Sequence, residues 1–242
     1  MRNPRRRAGS ADGLNRCSIG PGPAGIGRRK IQPDGNLLPR RSKVRAVKHH
    51  PALPYPQVGA FMAALRRRAG IAARALEFTI LAAARTSEVL GSRWDEIDLQ
   101  QHLWTVPAER MKASKEHRVP LSTSAITLIK KLAKAPEGPL VFPGADGAEL
   151  SENAMLALLE RMGRDDITPH GMRSSFRDWV SERTGFAGDL AEMQLAHAIE
   201  SKTEAAYRRN DMLPRRQELM AAWARFCEGV DRGEVVPLRA SR

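Results

Sequence analysis

Residues 75–85, ALEFTILAAAR, are apolar on almost every side. A helix at a protein surface carries one apolar stripe, so a run of this kind belongs to a helix enclosed by others, here one that delivers Arg85 at its end. The next residues, TSEVLGSRW, spell a second short helix. On the N-terminal side Val58, Phe61, Met62 and Leu65 share one helical face that ends in Arg66, Arg67 and Arg68, and Pro54-Tyr55-Pro56 marks where order begins. Residues 103–106 and 117–121 are short β-like runs around the polar stretch 111–116, which predicts a hairpin with a lysine-rich tip.

Residues 122–134 return to helical spacing through Ala125, Ile126, Ile129 and Leu132, and LVFPG at 140–144 closes on a turn. Further helices are expected over 151–163, 171–184, 188–196, 201–209 and 214–228. The fold class is therefore mainly α with a small antiparallel β element. No internal repeat is present.

The chain has 242 residues, room for one full-sized domain and a short appendage. Hydrophobic residues make up 42% and aromatic residues 5%, so the core must be built from Leu, Ala, Val, Ile and Met. The first 50 residues hold seven Gly, five Pro and no apolar periodicity, which is the signature of a segment that cannot bury a core. The expected organisation is a disordered basic tail at 1–50, one domain at 51–230 and a C-terminal tail at 231–242.

A formal net charge of +13 first suggests a polyanionic partner. Residues 1–50 carry 13 of the 40 basic residues and two of the 27 acidic ones, which leaves 27 bases against 25 acids in the rest. The domain is thus close to neutral, and any grip on nucleic acid must come from local clusters. Cys17 and Cys227 lie far apart with no metal-ligand spacing, so neither a disulfide scaffold nor a metal site is expected. The basic start lacks the apolar core of a secretory signal and no run reaches membrane-spanning length, so a cytoplasmic protein without membrane contact is expected.

Taken singly, the candidate chemical groups have ordinary readings. Arg85 could be a helix-terminal cation favourable to the helix dipole. Lys112 and Lys115 could be solvated hairpin side chains. His170 and Arg173, three apart in TPHGMRSSFRDW, can project on one helical face, and His197 in QLAHAIES could cap a helix end. Tyr207, one of two tyrosines, could lay its ring on the core. The order of all six along one domain changes the balance.

That order, with ILAAARTSEVLGSRWDEIDL around Arg85, ERMKASKEHRVPLS around Lys112, TPHGMRSSFRDW around His170 and Arg173, and LAHAIESKTEAAYRRND around His197 and Tyr207, resembles the phage integrase family of tyrosine recombinases. The likeness runs over most of 51–230, and RRQELMAAWARFCEGV looks like the segment that follows the tyrosine in integrases of prophages and genomic islands. Type IB topoisomerases share the chemistry, but the LAH and AYRRND contexts favour the recombinase side.

The resemblance implies the integrase catalytic-domain fold and site-specific DNA recombination through a covalent 3′-phosphotyrosine. Tyr207 would be the nucleophile and His170 its proton acceptor. Arg85 and Arg173 would engage the phosphate oxygens, because a guanidinium fork is bidentate and stays charged. Lys112, or failing it Lys115, would protonate the departing 5′ oxygen. His197 would donate a hydrogen bond to the phosphate, and Glu88 would orient an active-site cation unless it is an exposed helix acid.

Lys115 and Arg118 join Arg85 and Arg173 as expected DNA contacts. The phosphotyrosine conserves bond energy, so no cofactor, ATP or metal is expected, in keeping with the lack of a Walker loop or a two-metal carboxylate cluster. Expected partners are double-stranded DNA, three further copies of the chain in a tetramer on that DNA, and accessory DNA-bending proteins. Integrases normally place a helical core-binding domain ahead of the catalytic one, and residues 1–50 cannot form it. The alternative reading is accordingly a truncated remnant that binds DNA without strand transfer.

Overall fold

The computed structural model describes residues 51–197 and 211–229. The helix expected at 201–209, the two tails and Tyr207 lie outside the described residues. The helices are α1 (Val58–Arg66), α2 (Ile71–Ala82), α3 (Thr86–Leu90), α4 (Thr123–Leu132), α5 (Ala154–Arg161), α6 (Gly171–Arg183), α7 (Gly188–Gln194) and α8 (Leu213–Cys227). Between α3 and α4 the strands β1 (Ile97–Asp98), β2 (Leu103–Val106) and β3 (His117–Pro120) form an antiparallel sheet in sequence order. Val106 pairs with His117 at the mouth of the hairpin, and Leu103 pairs with Pro120. The two-residue β1, too short to leave an alternation in the sequence, pairs Ile97 with Trp104.

Helix α2 is the axis of the domain. Ala73, Ala75, Leu76, Phe78, Ile80, Leu81 and Ala82 are all buried, and α1, α4, α5 and α8 pack around it. Its small alanines let neighbouring backbones approach, while Phe78 reaches Trp104 and Phe142, each at a ring separation of 5.4 Å. Glu77 is buried as well. Arg66 Nε at 2.7 Å and Arg74 Nη1 at 2.9 Å donate to its carboxylate, as a buried charge requires.

The sequence expectation that this helix runs to Arg85 is corrected. It stops at Ala82, Ala83 turns into the left-handed region with φ of 51°, and Arg85 is extended at the N-cap of α3. Alanine is the best helix former and does not stop a helix by its own propensity. The stop comes from tertiary bonds to the carbonyls that a helix end leaves without partners. Trp223 Nε1 donates to the Ile80 carbonyl at 2.8 Å, Gln194 Nε2 to Ala82 at 2.9 Å, and Arg173 Nη1 to Ala83 at 2.7 Å.

The chain enters against α6. The Pro51 carbonyl accepts from the Thr168 backbone at 3.1 Å, and Ser175 Oγ donates to the Leu53 carbonyl. Gly171 makes this approach possible, since a Cβ there would lie 2.0 Å from the Pro51 oxygen. The same stretch starts α6, with Thr168 Oγ1 accepting from the Gly171 backbone N–H at 3.0 Å. His170 is thereby set at the exposed N-cap of that helix.

Candidate active site

The site forms where α2 ends, α6 begins and α7 stops. Arg85 leaves the α2–α3 corner half-buried. Its Nη1 donates to Glu88 Oε1 at 2.6 Å, its backbone N–H to Glu88 Oε2 at 2.9 Å, and its Nη2 to the Ala196 carbonyl at 3.0 Å. Glu88 is 3% exposed, so the exposed-acid reading does not hold. Its carboxylate caps α3 and locks the Arg85 guanidinium together.

Arg173 projects from α6 into the same hollow and is 4% exposed. Besides its bond to Ala83, its Nη2 donates to the Leu195 carbonyl at 2.5 Å and lies 3.4 Å from His197 Nε2, and its buried Nε has no hydrogen-bond partner. Among the described residues no carboxylate hydrogen-bonds to it. Burial, then repulsion from Arg85, lowers its pKa to about 10, against partial support from Glu88 and Glu192. Arg173 therefore remains charged at neutral pH. Among the described residues the hollow sets Arg85 and Arg173 beside Glu88, with Glu192 at the rim paired to Arg177, a net positive field that favours an anion.

His197 follows α7 at the rim. Its Nδ1 donates to Glu192 Oε2 at 2.6 Å, and Arg177 Nε donates to the other oxygen at 2.6 Å. Burial penalises the Glu192 carboxylate, but these two bonds outweigh it and hold its pKa below the ordinary value. With Nδ1–H committed to Glu192, Nε2 faces Arg173 as an acceptor. Donation from Nε2 to a ligand oxygen requires the doubly protonated ring.

The remaining candidates are more open. Lys112 and Lys115 are exposed on the 111–116 turn, where Ser114 adopts φ of 49°. Arg118, on β3, donates through Nη1 to Asp211 at 3.2 Å. Arg85, Glu88, Arg173 and His197 are thus brought into one bonded cluster. The described residues do not include Tyr207.

Five participants escape sequence reasoning. Glu192 and Arg177 orient His197. Gln194, at the end of α7, shares the apolar face of Leu190, Ala191 and Leu195, and Arg216 shares the face of Leu219, Met220 and Trp223 on α8; a polar residue on such a face is the signal that marks them. His117, at the start of β3, donates from Nε2 to the Gln194 carbonyl at 3.1 Å. Burial, with Arg216 and Arg85 as neighbouring charges, pulls its pKa down to about 4 despite the Gln194 bond and Glu88. Among the described residues no cluster of His, Cys, Asp or Glu could hold a metal ion, and no helix is long and apolar enough to cross a membrane.

A helical domain with a three-stranded sheet at one edge, and with paired arginines and a histidine at the meeting of its central helices, has the fold of tyrosine recombinase catalytic domains. The chain belongs to the phage integrase family, whose pattern matches residues 52–213. It is 33% identical to the integrase of Enterobacteria phage P4 over 203 residues, covering 75% of this chain and 46% of that protein. Its fold matches the integrase from mycobacterium phage Brujita with a TM-score of 0.55 at 20% identity, covering 73% of this chain and 58% of the other. It also matches a lambda integrase dimer bound to a COC′ core site with a TM-score of 0.50 at 17% identity, covering 69% and 50%. The chain spans about half the length of the curated relatives it matches.

Proposed function

We propose that the protein carries out site-specific DNA recombination by cutting and rejoining strands through a 3′-phosphotyrosine at Tyr207. The observation that carries the reading is the Arg85 and Arg173 pair, held in place by main-chain carbonyls and Glu88 beside His197 before any ligand arrives. Donors fixed in advance pay no reorganisation when charge builds on the non-bridging oxygens of a phosphodiester. Family membership and the DNA-bound lambda integrase neighbour support the same reading.

In the proposed step the Tyr207 oxygen bonds to phosphorus and the bond to the 5′ oxygen breaks. His170 accepts the phenolic proton, and Lys112, with Lys115 as the other candidate, supplies one to the 5′ oxygen. Arg85, Arg173 and His197 hold the phosphate. A 5′ hydroxyl later reverses the step on a new partner strand. The working assembly is proposed to be a tetramer on double-stranded DNA, supported by a structural neighbour described as a lambda integrase tetramer bound to a Holliday junction.

The test is a nicked duplex that traps any covalent adduct, offered to the wild type and to Tyr207→Phe. A denaturant-resistant adduct seen only with the wild type is expected. Its absence on every DNA tried, including the attachment site of the protein's own element, overturns the reading.

A further inference from the structure

We propose that Gln194 and Arg216 form a buried clip that positions the nucleophile segment by joining its two flanks; this rests on the reading of Tyr207 as nucleophile. Gln194 ends α7 three residues before His197, and Arg216 sits in the first turn of α8, nine residues after Tyr207. Each is 2% exposed. Arg216 Nε and Nη2 both donate to Gln194 Oε1, at 3.1 and 2.9 Å. The ends of the intervening chain are thus fastened to each other inside the protein.

The clip is also fastened to the arginine hollow. Gln194 Nε2 holds the Ala82 carbonyl at 2.9 Å, three residues before Arg85. The Gln194 carbonyl accepts from His117 at 3.1 Å, and Arg216 Nη2 donates to the Arg118 carbonyl at 2.7 Å, both on the strand that follows the lysine turn. Gln194 and Arg216 together therefore tie the segments that lead to Arg85, His197, the lysines and Tyr207.

Stability alone is a poor reason for this arrangement. Among the described residues Arg216 hydrogen-bonds to no carboxylate, meeting Asp211 only at its backbone carbonyl, and a buried guanidinium carries a desolvation penalty that an apolar side chain of similar volume avoids. What the charge supplies is direction. Two donors converging on one oxygen fix the distance and angle between α7 and α8, which apolar packing does not. An error of about 1 Å in presenting a nucleophile can cost roughly 100-fold in rate.

The experiment compares wild type with Arg216→Met, with Arg216→Lys, and with the double variant Gln194→Leu/Arg216→Met, which removes both partners together. Single-turnover adduct formation on the nicked duplex is measured beside DNA affinity and thermal unfolding. The expected result is a loss of roughly 100-fold in cleavage for Arg216→Met and the double variant, affinity within about threefold, and partial recovery in Arg216→Lys. Unchanged cleavage, or loss of cleavage and affinity in parallel, overturns the clip. If Arg216→Met does not fold, the double variant and Arg216→Lys carry the test.

Should the wild type form no adduct on any DNA, the nucleophile reading fails by itself. Amide exchange then decides the clip. Faster exchange at 195–197 and 211–216 in Arg216→Lys, with α2 unchanged, supports it, and unchanged exchange at those flanks overturns it.

Discussion

The arginine hollow and the lysine hairpin are parts of one proposed site built on opposite principles. In the hollow, Arg173 is 4% exposed and its Nη1 and Nη2 already donate to the Ala83 and Leu195 carbonyls. On the hairpin, Lys112 and Lys115 extend from an exposed turn. Groups that stabilise charge work best when fixed beforehand, because reorganisation is then avoided. A group that hands over a proton must reach an oxygen whose position the DNA sets. The contrast predicts that stability and chemistry fail together in the hollow and separately on the hairpin.

The largest effect tests the first half. Arg173→Ala should abolish adduct formation and lower stability in urea by about 3 kcal/mol or more, since two buried carbonyls lose their donor. Arg173→Lys should still cost over about 100-fold, because an ammonium cannot span both carbonyls and a phosphate. Activity within tenfold of wild type in Arg173→Lys would break the comparison. Next, Lys112→Ala should slow cleavage by about 100-fold or more with an unchanged melting curve. A 5′-bridging sulfur, which leaves without a proton, should restore it; the same pattern in Lys115→Ala instead would move the role to Lys115.

His117 stands where the two regions join, and it makes the junction acid-sensitive. Its folded pKa of about 4 lies below the ordinary 6.5, so between those values only the unfolded chain takes up the proton. Stability is complete above about pH 6.5 and should fall by roughly 3 kcal/mol as pH drops to about 4, judged by urea midpoints. His117→Gln should flatten that part of the curve. The smallest effect is at the outer end, where Arg118 and Asp211 are 41% and 38% exposed. Arg118→Ala should cost about 1 kcal/mol or less, and less still in high salt.

Those sizes follow what the sequence reveals and conceals. Helices whose faces repeat over two or more turns, such as Val58–Arg66 and Leu213–Cys227, are legible from periodicity, and the Arg85, His170, Arg173 and His197 candidates from their order. The end of α2 is not legible. An alanine run says continue, and only side chains from 90, 112 and 143 residues further along, Arg173, Gln194 and Trp223, say stop. Nor is the Gln194–Arg216 contact, which joins residues 22 apart on either side of Tyr207 in the sequence. Local pattern carries periodicity, whereas partners of buried polar atoms are chosen by the fold.

The docking of α8 has an optical consequence. Of the four tryptophans, Trp179 and Trp223 face each other across α6 and α8 at a ring separation of 5.1 Å, with Phe226 stacked 5.8 Å from Trp223. Trp223 is fully enclosed, and its indole N–H is spent on the Ile80 carbonyl. Moving α8 off the domain would wet that indole, so its emission would shift to the red. Intrinsic fluorescence is thus a label-free gauge of whether α8 stays docked on the domain.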